Sequence, residues 1–337
     1  MSEVHTDGRS YTPNKNNVPR KKINLPLEYI STDISPPNNN VFVVPDGEKK
    51  FIERDYKNCK LSYPRDKNDP GKIIIINYEF ADKEPRIGSR RDVNEMILCL
   101  QRQGYNIYEN DILTDKSKEY VLDYLEEVAK SQLSDVNCLM VFFFTHGKEC
   151  NKLSTIDYDI NVEEIYKPFK DCLKNKPKMF IFQACKGSAF STTKGSVSDY
   201  DETSGFIPFG TLKTQIPEDM IFYFSTIEGN VSFRQHTGSW MIQELCKHLF
   251  AYGRRDDVAS ILIRTTKCVC GNYFSLKNKE YRKQMPLMIS TLKRKFYLNS
   301  NKDRHLLVQT YDEQVKVLEE LEKIKKKLNK LEAKKVD

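Results

Sequence analysis

The chain is expected to fold as an open α/β sheet of about six mainly parallel strands with helices on both faces. Residues 72–78, 139–144 and 180–183 are near-continuous apolar runs of strand length, the pattern of strands buried on both faces. Segments with apolar residues at helical spacing lie between them, so strand and helix alternate as in βαβ units. Two of the runs stop abruptly in polar residues, Thr145-His146-Gly147 and Gln183-Ala184-Cys185-Lys186-Gly187. In open α/β sheets the carboxyl ends of strands face the ligand crevice, so these two ends are where chemistry is expected.

In chain order, residues 1–70 are rich in Asn, Pro, Lys and Asp, with short apolar islands such as Val41, Phe42, Val43 and Val44. That composition buries too little apolar surface to offset the entropy of ordering, so the segment reads as a mostly disordered leader. No sustained helical periodicity marks an adaptor bundle in it. The folded body opens with the strand over 72–78. Val93, Met96, Ile97 and Leu100 then fall at helical spacing, residues 105–108 read as a strand, and Val121, Leu122, Leu125 and Val128 mark another helix. The strand ending at His146, a further helix and the strand ending at Cys185 follow.

Residues 186–217 are full of Ser, Thr, Gly and Asp without usable periodicity, and a loop of that length inside a compact body is uncommon unless functional. A strand near 220–225, helices over 239–251 and 257–269, and a last strand near 286–291 complete the body. Past residue 300, Val317, Leu321, Ile324, Leu328 and Leu331 repeat in steps of four, three, four and three. This a/d seam is shorter than the ~3–4 heptads of a stable coiled coil, leaving a helix packed on the body, a self-association helix or a partner helix.

Composition narrows the class. With 39% apolar residues in 337, a sizeable core is available, and no run of ~18 apolar residues exists to span a membrane. The first residues lack the apolar stretch of a secretory signal, so a cytoplasmic protein is expected. Nine irregularly spaced cysteines do not form a disulfide framework and suit a reducing compartment. Cys268 and Cys270 have no second pair at zinc spacing, so neither metal nor cofactor is expected. The net charge of +7 is spread among acidic residues with no basic stripe, which argues against nucleic acid.

Free cysteine is more often a small buried hydrophobe than a nucleophile. Cys185 stands out because His146 occupies the equivalent place at another strand end. Of the five histidines, His5, His236 and His305 lie in polar or terminal segments and His248 on an expected helix, which leaves His146 as the candidate partner.

These residues resemble a known family. Gln183-Ala184-Cys185-Lys186-Gly187 after a Thr145-His146-Gly147 strand end is similar to the caspases, cysteine proteases that cut after aspartate, over about residues 72–299. Two features depart from the family signature: Lys186 stands where it has Arg, Gln or Gly, and His146 lies 39 residues upstream instead of ~50. The resemblance implies a caspase-like sheet, Cys185 as nucleophile and His146 as proton donor to the leaving amine. It implies an oxyanion hole from the main-chain N–H groups of Gly147 and Cys185, and an aspartate pocket from Arg86, Gln183, Ser232, Phe233 and Arg234. Arginine suits that pocket because its fixed fork matches a carboxylate.

The resemblance also implies a zymogen of disordered prodomain 1–70, large subunit 71–199, linker 200–215, small subunit 216–299 and a charged helical extension 300–337. Asp199, Asp201 and Asp46 are the candidate cleavage points. Asp199 is preferred over Asp201, which precedes a charged residue, and Asp46-Gly47 reads equally as a turn. The implied partners are Asp-containing protein substrates, a second cleaved protomer in a homodimer, and an inhibitor or upstream caspase. The short leader resembles executioner members acting in apoptosis, whereas Val231, where those carry bulkier residues, resembles apical ones. The rival readings are a catalytically weak or inactive homologue that regulates other caspases, a clan relative cutting after Arg, Lys or Asn, and a scaffold built on the C-terminal helix.

Overall fold

The structure, a computed structural model, describes residues 21–23, 61–65, 71–81, 85–133, 135–148, 150–185, 191–192, 216–227, 232–277 and 280–299. The chain runs through β1 (Lys72–Asn77), α1 (Ser89–Arg102), β2 (Ile112–Thr114), α2 (Lys118–Ser131), β3 (Leu139–Phe144), the hairpin β4 (Lys152–Ser154) and β5 (Asp159–Asn161), α3 (Val162–Tyr166) and β6 (Lys178–Gln183). It continues through β7 (Ser191–Thr192), β8 (Met220–Phe224), the short hairpin β9 (Arg234–Gln235) and β10 (Gly238–Ser239), α4 (Trp240–Tyr252) and α5 (Val258–Asn272). The last elements are β11 (Ser275–Lys277), β12 (Glu280–Lys283) and β13 (Leu287–Ser290).

Six strands form the central sheet in the order β13-β8-β6-β3-β1-β2. All neighbours are parallel except β13, which runs antiparallel to β8. The expected six-stranded, mainly parallel sheet is present, and β8 continues it beyond the long connection after Cys185. Alternation along each strand then divides the apolar runs between two cores. Ile73 and Ile75, Met140 and Phe142, and Met179 and Ile181 face α1, α4 and α5. Ile74 and Ile76, Val141 and Phe143, and Phe180 and Phe182 face α2 and α3. Strands buried on both faces have no polar side to show, which is why their sequences read as unbroken hydrophobic runs.

Local signals set the helix starts. The Ser117 side chain accepts from Tyr120 N at 3.2 Å at the head of α2, and Asp257 Oδ1 accepts from Ser260 N at 3.2 Å at the head of α5. Gly88 precedes α1 with φ of 84°, a left-handed conformation that glycine takes without steric penalty.

Two expectations need correction. The strand expected at 105–108 is displaced: Tyr105 and Ile107 are buried in the connection, Tyr108 makes one bridge to Lys22, and the strand that pairs with β1 is β2. Alternating apolar residues there fill the core without joining the sheet. Between β3 and β6 the chain forms the β4–β5 hairpin and a helix of only five residues. Within the segment read as a leader, Tyr63 is buried, its hydroxyl donates to Asp219 Oδ1 at 2.6 Å, and its N–H bonds Lys295 O at 3.0 Å. In addition, β7, β11 and β12 form a small antiparallel sheet that periodicity did not reveal.

Candidate active site

The site forms at the carboxyl ends of β1, β3, β6 and β8. Residues Phe144 and Gln183 are paired in the β3–β6 ladder, and Thr145 N donates to Gln183 O at 3.1 Å beyond it. Two residues past these partners stand His146 and Cys185, so sheet register alone puts imidazole and thiol on neighbouring tips. The two backbones nearly touch: a Cβ on Gly147 would lie 1.9 Å from the Cys185 carbonyl oxygen. Glycine is required there by space.

Each tip is further held. The His146 ring stacks on Phe80 at 5.2 Å, and Phe80 stacks on Tyr78 at 5.4 Å. Ser154 N donates to His146 O and Lys148 N to Lys152 O, both at 2.8 Å. These two bonds flank Gly147 opposite Leu153, which leaves the Gly147 N–H out of the strand pairing. On the other tip, Ser225 Oγ donates to Ala184 O at 2.7 Å while Ala184 N donates back to it at 3.1 Å. The half-buried Cys185 thiol lies against the main chain of Ser232, with Sγ 3.6 Å from its oxygen and 3.4 Å from its nitrogen.

The expected pocket residues converge on this thiol. Arg86 is only 2% exposed, and its Nη1 donates to Tyr78 O at 2.6 Å and Asn77 Oδ1 at 3.2 Å. Its Nε and Nη2 are buried without a hydrogen-bond partner, as is Gln183 Oε1. Gln183 Nε2 donates to Ser232 Oγ at 2.6 Å, and Arg234 Nε donates to Ile87 O at 3.1 Å, tying the two arginine-bearing segments together. Burial first, and then the neighbouring Arg234 guanidinium, pull the Arg86 pKa down to about 9, which still leaves it charged at neutral pH. Burial also lowers Arg234, opposed by Asp92 and Cys185.

Three supporting residues went unnoticed in the sequence. Asp92 on α1 is fully buried, accepting from Ser239 N at 2.8 Å and Ser239 Oγ at 2.5 Å. It anchors the hairpin that carries Arg234 and places a carboxylate near both guanidiniums. Desolvation raises its pKa to about 6, against hydrogen bonds from Ser239 and the charges of Arg86 and Arg234. An aspartate beside Val93 and Met96 on the apolar face of a helix was the available signal. The second, Gln284, is fully buried, with Oε1 accepting from Phe233 N at 2.8 Å and Nε2 donating to Ser225 O at 2.9 Å. Ser225 is the third, and neither it nor Gln284 stands out by type or spacing. Asp46, Asp199, Asp201 and Val231 lie outside the described residues.

The sheet, the tips and the pocket define an α/β protein with a thiol and an imidazole at adjacent strand ends. The Peptidase_C14 caspase-domain family matches residues 70–297, and the chain belongs to that family. It is 30% identical to Caspase-7 of Gallus gallus over 67% of this chain and 76% of that protein. It is 31% identical to Caspase-1 of Mus musculus over 67% of this chain and 58% of that longer relative. Its fold is similar to the crystal structure of Caspase-1 from Spodoptera frugiperda, with a TM-score of 0.57 and 23% identity, covering 71% of this chain and 97% of that one. Among the described residues, no helix is long and apolar enough to cross a membrane.

Proposed function

We propose that the chain is an active cysteine endopeptidase that hydrolyses protein substrates after aspartate. The observation that supports this reading best is the orphaned donor pair of Arg86. A buried guanidinium with Nε and Nη2 unpartnered, beside a second guanidinium and within electrostatic reach of the Cys185 thiol, suits an arriving carboxylate. Buried donors without acceptors are unfavourable until a ligand satisfies them. The amide of Gln183 fits the same ligand: its Nε2 donates to the Ser232 hydroxyl at 2.6 Å, and a half-turn of the amide lets that hydroxyl donate to Oε1 instead and turns Nε2 to the carboxylate.

In the reaction, Cys185 Sγ attacks the scissile carbonyl and His146 gives a proton to the leaving amine. The resulting thioester is then hydrolysed by water that His146 deprotonates. The oxyanion takes the N–H of Gly147, which the bridge to Leu153 leaves out of its pairing, together with the N–H of Cys185. Maturation follows the same specificity: cleavage at Asp199 in preference to Asp201, with Asp46 releasing the leader, would yield fragments 47–199 and 200–337, which contain the large-subunit body 71–199 and the small-subunit body 216–299. The mature form is a homodimer of cleaved protomers, its biological setting is apoptosis, and an upstream caspase or an inhibitor controls it.

Purified wild-type and Cys185→Ala chains separate this reading from a catalytically inactive regulator. The wild type should turn over an Asp-containing fluorogenic peptide and leave the Asn-for-Asp peptide untouched, and its fragments should begin after Asp199 or Asp46. Turnover that survives in Cys185→Ala, or that is equal on both peptides, rejects the proposal.

A further inference from the structure

On the face of the sheet that carries α4 and α5, three side chains with metal-binding atoms converge. Glu244 and His248 lie four residues apart on α4, so they share one helix face, and Cys268 meets them from α5. Their ligand atoms all lie within 4.8 Å of one another. Sequence spacing pairs Cys268 with Cys270, but Cys270 points elsewhere, with its sulfur 3.2 Å from Met285 Sδ.

The surrounding bonds prepare these atoms for a cation. The hydroxyl of Thr265 donates to Ile261 O at 2.9 Å, so the Thr265 oxygen accepts from His248 Nδ1 at 3.1 Å. That bond places the ring proton on Nδ1 and turns the Nε2 lone pair toward Cys268 Sγ, 3.7 Å away. A histidine ligand oriented through its second nitrogen is the usual outer-shell arrangement of metal sites. The carboxylate of Glu244 is held by Lys247 Nζ at 2.8 Å and the Tyr273 hydroxyl at 2.6 Å. Both donors use Oε1, and the Cys268 thiol is hydrogen-bonded to the same carboxylate, so a cation bound here takes the place of the thiol proton.

We propose that Glu244, His248 and Cys268 form a zinc-binding site that joins α4 to α5. Sulfur and nitrogen ligands on a tetrahedral zinc, with bonds of ~2.3 and ~2.0 Å, stand about 3.5 Å apart, close to the separation between Cys268 and His248. A thiolate and a carboxylate together neutralise the divalent charge, and thiolate with imidazole favours zinc over calcium or magnesium. Three protein ligands leave the fourth position to water or an added ligand. The site is connected to the pocket: Tyr273, which bonds Glu244, packs on Trp240 at 5.2 Å, and Trp240 stacks on Phe233 at 4.5 Å.

The test uses the full chain carrying Cys185→Ala, which removes the strand-end thiol as a competing ligand and makes the result independent of whether the chain is a peptidase. The chain is stripped with a chelator and titrated with cobalt(II), then with zinc. The expected result is a tetrahedral cobalt spectrum with a thiolate charge-transfer band that zinc displaces. Adding Cys268→Ser should abolish the band, and His248→Gln should weaken binding at least about tenfold. With every site ligand intact, zinc should also shield Cys268 from alkylation, read by peptide mass mapping. A band that persists in Cys268→Ser, the absence of any band, or alkylation of Cys268 at the same rate with and without zinc overturns the proposal and reduces the trio to a hydrogen-bonded cluster.

Discussion

The strand tips carrying His146 and Cys185 and the 232–239 segment carrying Arg234 meet at one pocket but are held by different physics. The tips continue β3 and β6, six-residue strands whose ladders and ring stacks, such as Phe182 on Phe224 at 5.1 Å, fix them many times over. The segment has a two-stranded hairpin of two residues a side and one ring stack, Phe233 on Trp240, and otherwise depends on a few polar contacts with Asp92, Gln183, Gln284 and Ile87. The proposed reacting groups are therefore insensitive to most single side chains, whereas the proposed acid-binding half can be altered by one substitution at a distance from it.

The largest effect is expected where the tips leave no space. In Gly147→Ala the added methyl must push the His146 and Cys185 backbones apart, and kcat should fall about 100-fold with KM little changed, read by steady-state kinetics on an Asp peptide. An undiminished kcat would show that the tips are less rigid than their ladders imply.

Gln284→Leu probes the other half. It leaves Phe233 N–H and Ser225 C=O buried without their partner, at about 1–3 kcal/mol each. Urea unfolding should register the loss, and KM should rise about tenfold while kcat is retained. A fall in kcat at constant KM would instead mean that the 232–239 segment positions the reacting atoms, which breaks the contrast between the two halves.

The smallest effect is the pH dependence set by Asp92. Its pKa is raised from 3.8 to about 6 by burial. Between those values the folded chain holds a proton that the unfolded chain has released, so stability declines as pH rises across the window. Asp92→Asn should flatten that decline in denaturation midpoints measured from pH 4 to 6.5, and an unchanged profile would place its origin in another group.

Much of the sheet was legible because strands buried on both faces carry their signal in every residue. The same runs end in Thr145-His146-Gly147 and Gln183-Ala184-Cys185, so local pattern alone marks the candidate pair as two strand ends. Residues 105–108 misled because alternating Tyr105 and Ile107 fill the core without pairing, while three-residue β2 is too short to show a period. The β11–β12 hairpin escaped for the same reason, its strands being three and four residues long, and Tyr63 escaped because its partners Asp219 and Lys295 lie far along the chain.

The sequence by itself therefore determined the sheet class, its long strands and helices, the candidate thiol and imidazole and the candidate acid-binding residues, since each is written in a local pattern or a contiguous motif. Only the tertiary structure decided which groups hold them. Asp92 meets Ser239 across 147 positions and Gln284 meets Phe233 across 51, while Glu244, His248 and Cys268 assemble from two helices. A buried polar side chain takes its role from whichever donor or acceptor the fold brings to it, and that partner has no local signature.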